Sequence, residues 1–156
     1  MFSFSDLYQR YARDVYRFAL YLSGDPALAQ DITSETFMLC LNSPEPIRTE
    51  TVKGYLLTIA RNLYLKECRR RARATELSDA IASPSPDLEL AAAQKERLGL
   101  VLRALQELPE VDRSALLLRA DDGLSYQQIA AVLGLSLAGV KVKIHRARLK
   151  LAAIGA

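Results

Sequence analysis

Basic side chains are concentrated near the C-terminus of the chain, where no acidic residue offsets them. Residues 123–156 contain five lysines and arginines and no aspartate or glutamate. On a helix these bases, with one histidine, fall in two outward rows, which are Lys141, His145 and Arg148, and Lys143, Arg146 and Lys150. Such a surface suits a polyanion such as nucleic acid, although a solvated basic face on an ordinary helical hairpin would carry the same charges.

The residues around this basic stretch have the spacing of a helix-turn-helix. Ser125 and Ser136 are suitable N-caps for two successive helices. Ala130, Gly134 and Val140 fall at the offsets of the small residue where the helices cross, the glycine of the turn and the branched apolar residue under the second helix. The residues expected to contact duplex DNA are Ser125, Gln127, Gln128, Ser136, Lys141, Lys143, His145, Arg146 and Arg148. His145 is expected to make a polar contact rather than to bind a metal or to catalyse.

A second basic stretch, in the first half of the chain, is interleaved with tyrosines. Single-stranded or melted nucleic acid needs positive charge for its backbone and rings on which its bases can stack. The residues predicted to supply these contacts are Tyr55, Arg61, Asn62, Lys66, Arg69 and Arg70. The alternative is that Tyr55 and Tyr64 simply pack in a core.

Two carboxylates, Asp31 and Glu35, lie one helical turn apart, with Asp25 near the start of the same element. Paired carboxylates can act as acid and base, but no nucleophile, metal-ligand spacing or glycine-rich phosphate loop accompanies them. An acidic docking surface for a basic protein partner fits this pattern better. The sequence therefore predicts no catalytic residue, no metal and no cofactor.

Helices are expected to position all of these residues. Apolar residues recur at helical spacing through most of the chain, and no stretch alternates with period two, so we expect an all-α fold without a sheet. Residues 74–90 lose this periodicity and carry four acids and the run Ser83-Pro84-Ser85-Pro86, which is typical of a linker. We therefore predict two small helical domains, 1–73 and 91–156, joined by the flexible linker 74–90, the second domain containing the helix-turn-helix.

Composition excludes several classes of protein. Half of the residues are hydrophobic, which is enough for a core, and the formal net charge is only +3. The charged N-terminal residues exclude a secretory signal, and the longest nearly apolar stretch is too short to span a bilayer. Cys40 and Cys68 share no motif and are expected to be buried thiols. We expect a cytoplasmic protein without membrane insertion.

The order of these features resembles a known family, the sigma factors of bacterial RNA polymerase. Residues 31–37 resemble the helix by which sigma factors dock on core RNA polymerase, and residues 54–62, running into Arg69-Arg70-Arg71, look like their promoter-melting helix. Residues 105–113, 123–130 and 140–148 resemble their C-terminal domain. The short linker between two domains resembles the extracytoplasmic-function (ECF) group, and the resemblance covers nearly the whole chain.

The resemblance implies a transcription initiation factor that binds core RNA polymerase, directs it to specific promoters and helps to melt the DNA. Asp31, Glu35 and Thr36 would dock on the polymerase. The loop from Asn42 to Thr51 and the third helix would hold the melted minus-ten element, and the helix-turn-helix would read the minus-thirty-five element as duplex. An anti-sigma factor is a candidate further partner. No step needs catalytic residues in this chain, since the polymerase makes the bonds.

Other readings of the sequence remain open. A helix-turn-helix regulator that binds duplex DNA as a dimer would explain residues 91–156 equally well, but it leaves the arginine-rich third helix without a role. A basic RNA-binding protein would usually carry sequence marks that are absent here. An enzyme is the least favoured class.

Overall fold

A computed structural model describes residues 3–42, 51–77 and 92–155 of the chain. Within those ranges it contains seven α-helices and no strand. The helices are α1 (Phe4–Ser23), α2 (Pro26–Asn42), α3 (Val52–Leu77), α4 (Ala92–Gln106), α5 (Glu110–Ala120), α6 (Tyr126–Leu133) and α7 (Leu137–Ile154). The predicted all-α class with a helix-turn-helix near the C-terminus is confirmed.

The first three helices pack around one apolar core. α1 ends at Gly24, whose φ of +70° is the left-handed conformation that favours glycine at a helix C-terminus. Asp25 follows immediately and caps α2, because its carboxylate accepts hydrogen bonds from the backbone of Ala27 and Leu28. Side chains from all three helices fill the core, among them Phe18, Leu22, Ile32, Phe37, Leu56 and Leu57. The N-terminal half of α3 packs in this core, whereas basic residues nearer its C-terminal end, such as Arg69 and Arg70, are exposed.

In the C-terminal half, α4, α6 and α7 each contact α5, which lies at the centre. Every residue of α5 from Asp112 to Leu118 is buried. Burial of Ile129 on α6 and of Val140, Ile144 and Ala147 on α7 fixes the helix-turn-helix against it. The outer face of α7 is thus held in one orientation by its inner apolar residues.

The two halves of the chain lie against each other, which the sequence does not predict. α1 contacts α4 and α5, and α3 contacts α6. The guanidinium of Arg113, on α5, donates hydrogen bonds to the carbonyl oxygen of Leu22 at 2.6 Å and to the hydroxyl of Tyr64 at 3.1 Å. Buried apolar residues of both halves belong to one continuous cluster. Polar and apolar contacts therefore join α1 and α3 to the C-terminal helices.

One helix, α3, is longer than the sequence predicts. α3 continues to Leu77, four residues past the predicted end of the first domain at 73. Ala74, Glu76 and Leu77 are compatible with a helix, so the helix runs into the predicted linker before its prolines are reached. α4 begins at Ala92, one residue after the predicted start of the second domain. The rest of the linker and residues 43–50 of the predicted minus-ten loop lie outside the described residues.

Other predictions concern thiols, metals and membranes. Cys40 is half-buried, but Cys68 is exposed, so the predicted burial of Cys68 is wrong because it lies on the outer face of α3. Among the described residues, no group of three or more His, Cys, Asp or Glu side chains could hold a metal ion. In the same part of the chain no single helix is long and apolar enough to cross a membrane, although α6 and α7 together pass that test with a 96° bend between them.

Candidate nucleic-acid interface

The helix-turn-helix is built from local hydrogen bonds that the sequence indicated. Ser125 Oγ accepts a hydrogen bond from Gln128 N at 3.1 Å, and Gln128 Oε1 accepts one from Ser125 N at 2.9 Å, closing a capping box at the start of α6. Gly134 ends α6 with φ of +66°, and Ser136 Oγ then accepts a hydrogen bond from Gly139 N at 3.0 Å. Ser125, Gln128 and Ser136 thus have structural roles at the helix ends in addition to any contact with DNA.

The outer face of α7 presents most of the predicted duplex contacts to solvent. Val140, Ile144 and Ala147 are buried, and the basic residues lie on the opposite side of the helix. The exposed residues are Lys141, His145, Arg146 and Arg148, while Lys143 is half-buried. Gln127, on α6, is also exposed. The predicted cations therefore flank the outward side of α7 in two rows, with Lys141 toward Tyr126 of α6 and Lys143 and Arg146 toward Asp112 of α5.

Some of these cations already have partners within the C-terminal half. The carboxylate of Asp112, on α5, is almost fully buried and lies 3.2 Å from the guanidinium of Arg146 and 3.9 Å from the ammonium of Lys143. The ammonium of Lys141 lies 5.8 Å from the centre of the Tyr126 ring, which is within the range of a cation–π contact. The side chains of His145 and Arg148 are exposed to solvent.

The outward face of α3 carries the second predicted interface. Asn62, Lys66, Arg69 and Arg70 are exposed along this helix. Tyr55 is half-buried and packs against the apolar core, so part of its ring has the packing role that was the alternative to a nucleic-acid contact. The guanidinium of Arg61 is instead turned toward α5, where it makes a two-point contact with Glu110, with distances of 2.8 Å and 3.0 Å.

The exposed end of α3 mixes acid and base. Glu67 lies 2.6 Å from Arg70 and 3.1 Å from Arg71, one turn along the helix in each case. The hydrogen bond from Arg70 is the largest cause that holds the pKa of Glu67 below its usual range. Burial opposes it, and the hydrogen bond from Arg71 and the charges of both arginines add to the lowering. Arg70 nevertheless remains exposed, and such a surface pair is weak enough for a phosphate to displace it.

The predicted docking carboxylates Asp31 and Glu35 are both exposed on α2. They line a groove of about 470 Å³ between α2 and the end of α3, with Leu63 at its apolar wall. Thr36 does not join them. Its side chain is fully buried and its hydroxyl donates a hydrogen bond of 2.6 Å to the carbonyl oxygen of Ile32. Thr36 is part of the packing between helices and does not line the predicted docking surface.

Two functional partners were missed from the sequence, namely Glu110 and Asp112. Glu110 pairs with a base 49 positions away and Asp112 with one 34 positions away. Both acids lie in the first turn of α5, where the helix dipole alone would account for them, and no local pattern in the sequence assigns their distant partners Arg61 and Arg146. Only the packing of α5 against α3 and α7 brings them together.

Two family models match the chain and between them cover most of it. Residues 7–74 match the family described as sigma-70 region 2. Residues 98–151 match the family described as sigma-70, region 4. The first match covers nearly all of α1 to α3, with both the acidic groove and the basic face of α3, and the second runs from within α4 to the last turn of α7.

Curated relatives share this layout. The chain is 38% identical over 155 residues to the ECF RNA polymerase sigma factor SigE of Mycolicibacterium smegmatis, a match that covers 96% of this chain and 60% of the relative. It is 31% identical over 158 residues to the ECF RNA polymerase sigma factor SigM of Bacillus subtilis, covering 96% of this chain and 93% of that relative. The chain thus spans three fifths of the first relative and nearly all of the second.

Solved structures are similar across both halves. The sigma factor RpoE of Bartonella quintana, in complex with the anti-sigma factor NepR, superimposes with a TM-score of 0.80 at 27% identity, covering 92% of this chain and 91% of that one. CnrH, in complex with the cytosolic domain of CnrY, superimposes with a TM-score of 0.72 at 25% identity, covering 97% of this chain and 86% of that one.

Proposed function

The chain belongs to the ECF group of sigma factors, and from this premise we propose that it binds core RNA polymerase, directs it to specific promoters and helps to melt the DNA. The single observation that carries the proposal is that two basic surfaces and one acidic surface lie on different helices of the same small chain. A surface that binds duplex DNA (the duplex reader) and a surface that binds the melted strand (the single-strand holder) each need positive charge. A docking site for a basic protein surface needs negative charge. The polymerase makes the bonds, so the function needs no catalytic residue in this chain.

The duplex reader is the outer face of α7. Lys141, His145 and Arg148 are exposed there, with Gln127 on the neighbouring α6. We propose that this face enters the major groove at the minus-thirty-five element. Long cationic side chains can reach phosphates, and an amide side chain can contact a base edge.

The single-strand holder is the outward face of α3. Asn62, Lys66, Arg69 and Arg70 supply exposed donors along the helix, and Tyr55 supplies a ring that is only partly covered. Bases of a melted strand stack on such rings while cations follow the backbone. We propose that this face holds the minus-ten element once it has melted, together with residues 43–50.

The docking site is the acidic pair on α2. Asp31 and Glu35 are exposed beside an apolar wall, so a basic protein surface can pair with them and bury apolar area at the same time. We propose that core RNA polymerase binds there, which also implies a cytoplasmic protein. Since a sigma factor that is similar over both halves was solved with an anti-sigma factor, we propose a protein of that kind as a further partner.

The deciding experiment is capture of purified core RNA polymerase by the full chain, followed by transcription from a promoter. Asp31→Arg/Glu35→Arg should abolish capture and initiation, because it replaces two negative charges on the docking site with two positive ones. Glu96→Arg/Glu107→Arg makes the same change in charge at two acids exposed in the C-terminal half and should retain capture. If the wild type did not bind core polymerase but bound duplex DNA as a dimer, the chain would instead be a stand-alone transcriptional regulator.

A further inference from the structure

We propose that Val142, in the middle of the exposed side of α7, contacts the 5-methyl group of a thymine in the major groove, so that the chain prefers an A·T pair at one position of the duplex. This inference rests on the proposed role of α7 as the duplex reader. It adds a base preference, and it assigns that preference to a side chain that carries no charge and no hydrogen-bonding group.

α7 carries apolar residues on two opposite sides. Val140 and Ile144 are buried against the rest of the C-terminal half. Val142 is two residues away from each of them, so at about 100° per residue its side chain lies on the opposite side of the helix. Ala138 and Leu149 share that side, four residues before Val142 and seven residues after it. We call these three residues the outer apolar line.

Packing within the chain does not account for the outer apolar line. All three of its residues are exposed, with Val142 at 52% and Leu149 at 58%. Valine is also a weaker helix former than alanine, lysine or arginine, so local helix propensity gives no reason for it at position 142. A contact outside the chain is the remaining reason to place an apolar side chain there.

Cations flank the outer apolar line on both sides. On one side the ammonium of Lys141 lies 5.8 Å from the centre of the Tyr126 ring of α6. On the other side the guanidinium of Arg146 lies 3.2 Å from the carboxylate of Asp112 of α5. Each row of cations is thus drawn toward a neighbouring helix, which leaves Val142 open between the two rows.

The major groove of DNA has the complementary arrangement. Phosphates of the two strands form its rims, and base edges form its floor. The groove is about 12 Å wide and admits a helix of about 10–12 Å diameter. When the outward side of α7 faces the floor, the two rows of cations face the two backbones and Val142 faces the bases. A purely apolar protein surface would leave both rows without anions, so duplex DNA is the favoured occupant.

Thymine is the base whose major-groove edge a valine can recognise. The other groups by which bases differ in that groove are hydrogen-bond donors and acceptors. Valine can neither donate nor accept, and it would deprive such a polar edge of water. Contact with the 5-methyl group instead removes apolar surface of both partners from water. One base pair of the duplex element should therefore be A·T, with its thymine methyl against Val142.

The test uses the full chain bound to core RNA polymerase. Its preferred duplex element is first selected from a randomised library, and each thymine of that element is then replaced in turn by deoxyuridine. This replacement removes the methyl group and keeps every hydrogen-bonding group of the base. The readout is the ratio of the affinities for the thymine and the uracil duplex. A change in folding, in polymerase capture or in overall charge affects both affinities alike and leaves this ratio unchanged.

In the wild type, uracil at one position should lower the affinity about fourfold, which is the effect of exposing one methyl-sized group. In Val142→Ala the difference between thymine and uracil at that position should disappear, whereas Val142→Ile, which keeps the apolar contact, should retain it. Val101→Ala, the same change at an exposed valine of α4, is the matched control and should behave as the wild type. Alanine favours a helix more than valine does, so Val142→Ala keeps α7 intact.

A selected element without thymine would overturn the inference, and so would equal ratios for the wild type and Val142→Ala. If Val142→Ala weakened capture of core polymerase and left the ratio unchanged, the outer apolar line would be a protein contact instead. None of these results would count against the proposed function, which requires only that the polymerase-bound chain selects a duplex element. If the wild type did not capture core polymerase, the proposed function would fail, and the same selection and ratios measured with the chain alone would still decide the role of Val142.

Discussion

Arg146 and Arg148 lie two residues apart on α7 and carry the same charge, but they differ in what they contact inside the protein. Arg146 pairs with the nearly buried Asp112 at 3.2 Å, while Arg148 points to solvent. Loss of Arg146 would leave a shielded carboxylate whose remaining cation, within the part of the chain that the structure describes, is Lys143 at 3.9 Å. Loss of Arg148 would remove a cation from the surface and nothing from the core.

The two residues should therefore respond differently to substitution by alanine. Arg148→Ala is expected to weaken promoter binding by the polymerase-bound protein and to reduce the salt slope by about 1, with the free energy of unfolding changed by less than about 0.5 kcal/mol. Arg146→Ala should in addition lower the free energy of unfolding by about 1–2 kcal/mol, less than for a fully buried pair because its side chain is 52% exposed. Salt titrations and urea denaturation measure the two effects, and equal stabilities would contradict the role of Asp112.

A second residue-scale prediction concerns Asp122, whose side chain is almost fully buried and whose Oδ2 finds no hydrogen-bond partner among the described residues. Burial raises its pKa to about 7, with the nearby ammonium of Lys53 opposing and the carboxylates of Asp121 and Asp14 adding to the rise. The folded chain then holds this proton more tightly than the unfolded chain does. The free energy of unfolding should accordingly fall as the pH rises from about 4 to about 7, and then level off.

Asp122→Asn should remove this dependence. The variant is expected to gain stability over the wild type at pH 8, on the order of a few kcal/mol at most, and little at pH 4, because each unit of pKa shift corresponds to about 1.4 kcal/mol. Urea denaturation at both pH values is the measurement. Asp121→Asn, which removes a carboxylate paired with Arg17 at 2.6 Å, serves as control and should not gain at pH 8. A gain that is the same at both pH values would disprove the titration.

At the scale of the helix, the start of α7 depends on a single hydroxyl. Ser136 Oγ accepts the hydrogen bond from Gly139 N, one of the amides that an uncapped helix leaves unsatisfied. Ser136→Ala should lower the free energy of unfolding by about 1 kcal/mol. Ser34→Ala, at an exposed position inside α2, should change it by less than about 0.5 kcal/mol. Equal effects in urea denaturation would show that the cap contributes nothing.

The bounds of most helices could be predicted from the sequence because their signals are local. Gly24, Ser125, Gly134 and Ser136 act through bonds within four residues, and a pattern of that range is visible in one sequence. The end of α3 is harder to predict, because residues 74–77 carry no strong signal that stops a helix, and α3 continues through them. Burial of Thr36 was also missed, because a threonine on α2 gives no sign of whether α1 and α3 cover it.

At the scale of the whole molecule, one buried guanidinium holds several helices together. Arg113 donates to the carbonyl oxygens of Leu105, Leu108 and Leu22 and to the hydroxyl of Tyr64. The first two close the turn between α4 and α5, and the others cross to α1 and α3. A sequence could identify Arg113 as part of a family pattern, but not its contacts with the N-terminal half, which lie 91 and 49 positions away.

Arg113→Met should therefore be strongly destabilising. It keeps much of the side-chain volume but leaves three buried carbonyl groups without this donor, so we expect a loss of about 3 kcal/mol or more in the free energy of unfolding. Arg103→Met, at an exposed position on α4, should cost less than about 0.5 kcal/mol. Thermal denaturation of the pair provides the comparison, and a loss below 1 kcal/mol at position 113 would show that water replaces the guanidinium.

The hydrogen bond from Arg113 to Leu22 also sets an order in time. Its acceptor is synthesised 91 residues before its donor. At about 5–20 residues per second, the ribosome needs roughly 5–18 s to make the intervening chain. A nascent N-terminal half therefore leaves the exit tunnel with the surfaces of α1 and α3 that contact the C-terminal helices in the folded chain still exposed. During that interval any protein or nucleic acid that recognises these surfaces meets them before the C-terminal half has been made.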